Sequence, residues 1–131
     1  MALRYVRQKH EHGCFYAGLA MLLGVSYEQA FKRVHPHLST SALLASPLLA
    51  ADQTVSVLQR LGIKHSPAKA RRVRSLRHNA LIVVRWTCAP NVSHTFVYDA
   101  DERRLLDPGS KRRPWVSDIE RQIYSVTYIH Q

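Results

Sequence analysis

The spacing of apolar positions changes partway along this chain, from a helical period in the first half to an extended one in the second. Residues 14–23, Cys-Phe-Tyr-Ala-Gly-Leu-Ala-Met-Leu-Leu, are small or apolar throughout and run into Gly24. The pattern predicts a short helix, apolar nearly all round, that belongs in the interior of a domain. Ser26 followed by Gln29 has the spacing of a capping box and opens a second helix over about 27–34, which stops before Pro36. Residues 39–47 are small and polar, as suits a connection. Apolar residues at Leu48, Leu49, Ala51, Val55, Leu58 and Leu61 then return at close to helical period. A third helix is expected there, closed by Gly62.

Beyond Gly62 the pattern turns extended. Residues 63–65 begin a short strand that Pro67 interrupts, and the basic stretch 68–77 forms a helical turn or an exposed loop. Leu81-Ile82-Val83-Val84-Arg85-Trp86 is strongly β-prone and reads as a central strand, ended by a turn at Cys88-Ala89-Pro90-Asn91. Two more strands, 93–99 and 102–107, flank Ala100-Asp101, and Pro108-Gly109 stops the second. A last strand covers about 125–130. Helices first and an antiparallel sheet second make an α+β fold. If Ala100-Asp101 is a two-residue turn, Asp99 opposes Glu102, Phe96 faces Leu105 and His94 faces Asp107. A carboxylate so placed can bond one imidazole nitrogen and fix its tautomer. A one-residue slip would send the pair to opposite faces.

Length and composition narrow the reading. With 131 residues the chain is one domain with a real core. Residues 1–8 carry Arg4 and Arg7 without an apolar stretch, so no secretory signal is expected. The apolar-leaning run 41–51 contains Pro47 and is too short to span a bilayer. Two cysteines, Cys14 and Cys88, do not make a disulfide framework, and a reducing, cytoplasmic setting is the default. A Cys14–Cys88 bridge is the alternative, and it would disable thiol chemistry. The net charge of +10 gathers at 69–77, 103–104 and 111–113, which admits nucleic acid, an anionic surface or an acidic partner. No zinc-finger spacing, RNP motif or Gly-rich phosphate loop accompanies the charge, so nucleic-acid binding is not favoured as the primary role.

Four residues have compatible chemistry. Cys14 stands in the first turn of its helix, where unpaired N–H groups and the positive end of the macrodipole favour the thiolate. Taken alone, it would read as a small buried hydrophobe. His94 opens a strand as a candidate general base, and Asp107 would orient it. Gln8 can turn its amide toward Cys14 and, with the Cys14 backbone N–H, stabilise an oxyanion. The bland alternatives are a strand histidine satisfied by backbone, a turn aspartate before Pro-Gly and a solvated loop glutamine. Cys14, Cys88 and His94 have the ligand types for zinc without a diagnostic spacing, and His35 and His37 flank Pro36 as turn residues. His10 and His12 precede Cys14 as exposed neighbours. No cofactor or metal is expected.

Taken together, Gln8, Cys14 six places later, Ala17, Leu19-Ala20-Met21-Leu22 and Gly24, then Ser93-His94-Thr95-Phe96-Val97-Tyr98 and Leu106-Asp107-Pro108, resemble the papain-like cysteine peptidases. The likeness is closest to the compact bacterial branch that includes the bacteriocin-processing (double-glycine leader) peptidases, and it spans most of the chain. It implies a papain-like fold, the Cys14 helix packed on an antiparallel sheet bearing His94 and Asp107, and hydrolysis of a peptide or amide bond. Cys14 carries over as nucleophile, His94 as general acid and base, Asp107 as orienting residue and Gln8 as oxyanion stabiliser. The chain departs from the family in having Gly13 before the cysteine and bulky Phe15 after it, which bears on substrate more than on chemistry. It also lacks a transporter region, so leader processing coupled to export is not supported. The expected partner is a peptide or protein substrate, which the basic surface suits if it is acidic. Acyl transfer or amide hydrolysis on a non-protein substrate is a variant of the same chemistry. A catalytically silent basic binding module on the same fold is the alternative from another class.

Overall fold

The computed structural model describes residues 2–9, 13–34, 54–69, 72–85, 93–110 and 115–130. Among them the chain forms helices α1 (Cys14–Leu23), α2 (Tyr27–Val34) and α3 (Thr54–Arg60), then strand β1 (Lys64–Pro67) and a 3₁₀ turn (Val73–Ser75). Strands β2 (Ala80–Arg85), β3 (Ser93–Asp99) and β4 (Arg104–Leu106), helix α4 (Val116–Glu120) and strand β5 (Ile123–His130) follow. The five strands form one sheet in the order β1-β5-β2-β3-β4, antiparallel at every pairing. The α+β expectation therefore holds at the level of helices on an antiparallel sheet. No helix among the described residues is long and apolar enough to cross a membrane.

The local chemistry explains where the helices begin and end. α1 closes at Gly24, whose φ of 68° is the left-handed conformation that favours glycine, and Val25 N–H bonds the Ala20 carbonyl. The expected capping box opens α2: Gln29 N–H donates to Ser26 Oγ at 3.1 Å, and Ser26 N–H donates to Gln29 Oε1 at 2.9 Å. Gly62, also at φ 68°, ends α3, with its N–H on the Gln59 carbonyl and Ile63 N–H on the Leu58 carbonyl. Residues 48–53 of the expected third helix lie outside the described residues, as do Trp86 and the turn at 88–91.

Both faces of the sheet are covered. α1, α2 and α3 pack on one face over Leu81, Val97, Leu106 and Ile129. The second core holds Ile82, Val84, Phe96, Tyr98, Leu105 and Val126 beneath Val73, Leu76 and Ile119 of α4. Gly18 marks where α1 comes closest to the sheet. A β-carbon there would lie 3.1 Å from Leu81 Cδ2 and 3.3 Å from Val97 Cγ2. α1 has every residue from Cys14 to Leu22 buried, as its all-round apolar sequence requires.

One expectation is corrected. The β3–β4 turn is not the two-residue Ala100-Asp101: Asp99 pairs with Arg104, Tyr98 with Leu105 and Val97 with Leu106. Residues 100–103 form the turn, with Arg103 at a positive φ of 51°, and β4 starts at Arg104 rather than at residue 102. The reason is Asp99, fully buried, which accepts hydrogen bonds from Leu3 N–H at 3.1 Å, Arg104 Nε at 3.3 Å and Glu102 N–H at 3.4 Å. A carboxylate taken out of water needs those donors, and a wider turn supplies them. The register moves by two residues, not one, so His94 and Asp107 become diagonal neighbours that still share a face. The last strand is also longer than expected, starting at Ile123. α4, a five-residue helix, has no apolar periodicity that would announce it.

Candidate active site

Cys14 is the first residue of α1, after a Gly13 N-cap that offers no side-chain cap. The first helical bond runs from Ala17 N–H to the Gly13 carbonyl at 3.1 Å, so the backbone N–H groups of the preceding residues converge at the sulfur's end of the helix. Cys14 is a free thiol and 8% exposed. It is hydrogen bonded to His94, and both the backbone N–H and the hydroxyl of Thr95 also bond the sulfur. His94 and Thr95 are adjacent on β3 and point to opposite faces of the sheet. The end of α1 sits where the strand begins and is gripped from both.

His94 is joined on its other side to Asp107. Nε2 lies 2.7 Å from Asp107 Oδ1, which leaves Nδ1 for the thiol. That carboxylate oxygen also accepts the Gly109 N–H at 2.8 Å, and Ser110 N–H bonds the Asp107 carbonyl at 3.1 Å. The Pro108-Gly109 turn thus holds the carboxylate that holds the imidazole. Phe96 packs edge-on to the His94 ring, centroids 4.8 Å apart.

The electrostatics follow from these contacts. Burial pushes the Cys14 thiol up, but the His94 bond and charge and the two Thr95 bonds outweigh it and bring the pKa below its ordinary value of 9.0. Burial disfavours the His94 cation, while the bonds and charges of Asp107 and Cys14 raise its pKa to about 9. Both shifts favour a thiolate facing an imidazolium.

Gln8 reaches the same place from the N-terminal segment. Its backbone N–H donates to the Pro108 carbonyl at 2.9 Å, and its side-chain oxygen is buried. A β-carbon on Gly109 would meet Asp107 Oδ1 at 3.4 Å, Gln8 Oε1 at 3.5 Å and His94 Cε1 at 3.6 Å, which locates all three side chains around one point. Upstream, Tyr5 donates its hydroxyl to the Asp107 carbonyl at 2.7 Å, and Arg104 Nη2 donates to the Leu3 carbonyl at 3.2 Å. Burial first, then the Asp107 charge, keep the Tyr5 phenol above its ordinary pKa of 10.0, so it stays a donor.

All four residues singled out in the sequence therefore meet at one end of β3. A groove of about 450 Å³ opens there, floored by Phe96 and Ile119 and edged by His94, Asp107, Asp118 and Trp115. A larger cavity of about 590 Å³, between Leu3, Met21, His78 and His130, lies at the opposite end of the strand and touches none of the four. It is the smaller groove that adjoins His94 and Asp107, while Cys14 and Gln8 are not part of its lining. Thr95, Tyr5, Asp99 and Trp115 were not foreseen. For Thr95 the only sequence signal is its adjacency to His94, and for the others there is none. Cys88, His10, His12, His35 and His37 lie outside the described residues, and with Cys88 so does the zinc reading.

Comparison of the chain with protein-family models, with curated proteins and with solved structures returned no match to any of them.

Proposed function

We propose that the protein is a papain-like cysteine hydrolase that cleaves a peptide or amide bond. The observation that carries the reading is the hydrogen-bonded chain Cys14–His94–Asp107, with the sulfur at a helix N-terminus and the imidazole held on its far side by a carboxylate. Helices preceding an antiparallel sheet, with the cysteine helix lying against the histidine strand, support the papain-like form of the fold.

His94 takes the thiol proton, and the Cys14 thiolate attacks the carbonyl carbon. The carbonyl oxygen gains the displaced electron pair, and the Cys14 backbone N–H and the Gln8 side-chain N–H donate to it. Collapse breaks the C–N bond as His94 gives its proton to the leaving amine, leaving a thioester on Cys14. His94 then deprotonates a water that attacks the thioester; the acid leaves and Cys14 returns as the thiolate. Asp107 keeps the imidazole in the tautomer and orientation that both steps use.

Alkylation by iodoacetamide followed by peptide mapping tests the first step. Cys14 should label faster than Cys88 at neutral pH, and His94→Ala should slow it. Equal, slow labelling of both thiols would remove the proposal's basis. A peptide library should be cleaved by the wild type and not by Cys14→Ala. The alternative, a catalytically silent basic module, has the net charge of +10 in its favour and predicts steeply salt-dependent binding with no turnover in either protein.

A further inference from the structure

The larger cavity, of about 590 Å³, shares no lining residue with the reactive site. It opens where the last turn of α1 meets the start of β2 and the ends of β3 and β5, and Leu3 borders it from the N-terminal segment. Cys14 begins α1 and Leu23 ends it, so a helix of ten residues, about 15 Å long, separates the two places. Its volume lies within the roughly 300–1,000 Å³ of pockets that take small molecules.

Part of the lining is apolar, with Met21, Leu22 and Ile129 all buried. Arg77, His78, Asn79 and His130 add a set of donors. Asn79 is half-buried and held at two points: its carbonyl accepts Ile129 N–H at 2.9 Å, and its Oδ1 accepts Ala100 N–H at 2.8 Å. That fixes the amide, and the two N–H bonds of Nδ2 have no partner among the described residues. His78 is exposed, yet its ring packs edge-on to Tyr128 and to His130, with centroids 5.3 Å and 5.2 Å away. Ser66 Oγ lies 2.7 Å from His130 Nε2 and can donate to it, which puts the ring proton on Nδ1. The Arg77 backbone N–H donates to the Tyr128 hydroxyl at 3.4 Å, and its guanidinium has no hydrogen bond or ion pair among the described residues. Asp101 is the one carboxylate on the lining among those residues, and α1 ends here with no basic residue in its last turn. A polyanion would meet both that carboxylate and the negative end of the helix, whereas a single negative charge fits among the donors alone.

We propose that this cavity is a second binding site, for a small organic acid with one carboxylate and an apolar body. Arg77, His78 and the Asn79 amide receive the carboxylate, and Met21, Leu22 and Ile129 receive the body. The guanidinium fork can take both carboxylate oxygens, and the pinned amide adds a donor that needs no reordering. Covering the apolar wall supplies the remaining affinity. The proposal does not depend on the hydrolase reading, because none of Gln8, Cys14, His94 and Asp107 lines the cavity.

The test is titration of phenylpropionate into the full chain, followed by backbone amide NMR shifts. Saturable shifts should appear at Leu22, Gly24, Asn79 and His130, and none at His94 or Thr95. Phenylpropionamide, the neutral counterpart, should bind at least about fivefold more weakly, and phenylpropylamine more weakly still. Arg77→Gln, at an exposed position, should weaken the acid by a similar factor. Asn79→Asp keeps an acceptor for the Ala100 N–H but sets a negative charge where the donor was, so it should abolish acid binding and strengthen that of the amine. Equal binding of acid and amide, shifts centred on His94, or unchanged acid binding in the Arg77→Gln protein would overturn the proposal. So would the absence of shifts at about 10 mM phenylpropionate, or inorganic pyrophosphate binding the same residues more tightly than the acid.

Discussion

Asp107 illustrates how much one carboxylate sets in this site. Burial disfavours the His94 cation, but the Asp107 hydrogen bond, followed by the bond and charge of Cys14 and then the Asp107 charge, raises the pKa to about 9, so the imidazole stays protonated across neutral pH. A group raised in the folded state contributes stability in full below its ordinary 6.5 and loses it as pH rises through about 9. The same value should set the alkaline limb of kcat/KM. Asp107→Asn removes the charge, so that limb should move toward neutral pH, and kcat/KM should fall by about 100-fold or more, as read from a pH–rate profile. Thr95 acts on the partner. Thr95→Val deletes the hydroxyl that bonds the sulfur and should move the pH dependence of Cys14 alkylation upward, and Thr95→Ser should restore it. A purely structural role for Thr95 would lower stability without moving that curve. The grouping of Cys14, His94 and Asp107 was legible because residue type and order along the chain announce it. Thr95 was not, because a threonine in a strand has an ordinary explanation in β-propensity, and only coordinates show which way its hydroxyl turns.

At the scale of the elements, α1 and the sheet meet at Gly18. Its missing side chain lets the helix approach Leu81 and Val97, and added methyl groups would have to displace them. Gly18→Val should therefore destabilise the protein by about 1–3 kcal/mol in urea denaturation, and should disturb the Cys14–His94 bond, which depends on the same approach. The helix ends were legible because Gly24, Gly62 and the Ser26–Gln29 pair are local signals whose physics needs no distant partner. The β3–β4 turn was not: its length is decided by the buried Asp99, whose donors come from as far away as Leu3. The site survives that error because the pleat repeats every two residues, and a shift of two keeps His94 and Asp107 on one face. α4 was missed for a related reason, since five residues are too few to show a period.

The whole molecule is fastened through its N-terminal segment. Leu3 is bonded to Asp99 and Arg104, Tyr5 to Asp107 and Gln8 to Pro108, so the segment lies along the β4 side of the sheet on a short series of hydrogen bonds. Asp99→Ala would remove the acceptor for three donors at once. It should lower stability by about 2–3 kcal/mol, measured by urea denaturation, and should depress kcat more than it raises KM, because Gln8 is held at the far end of the same segment. Lacing of this kind can come undone without the core opening. Fraying of residues 2–9 would withdraw the Gln8 amide and leave the sheet and the Cys14–His94 pair in place, a resting form with a charged sulfur and half of the proposed oxyanion cradle. Amide protons of Leu3 and Gln8 exchanging with deuterium faster than those of β2 would reveal such a form, and a peptide aldehyde captured by Cys14 should slow them.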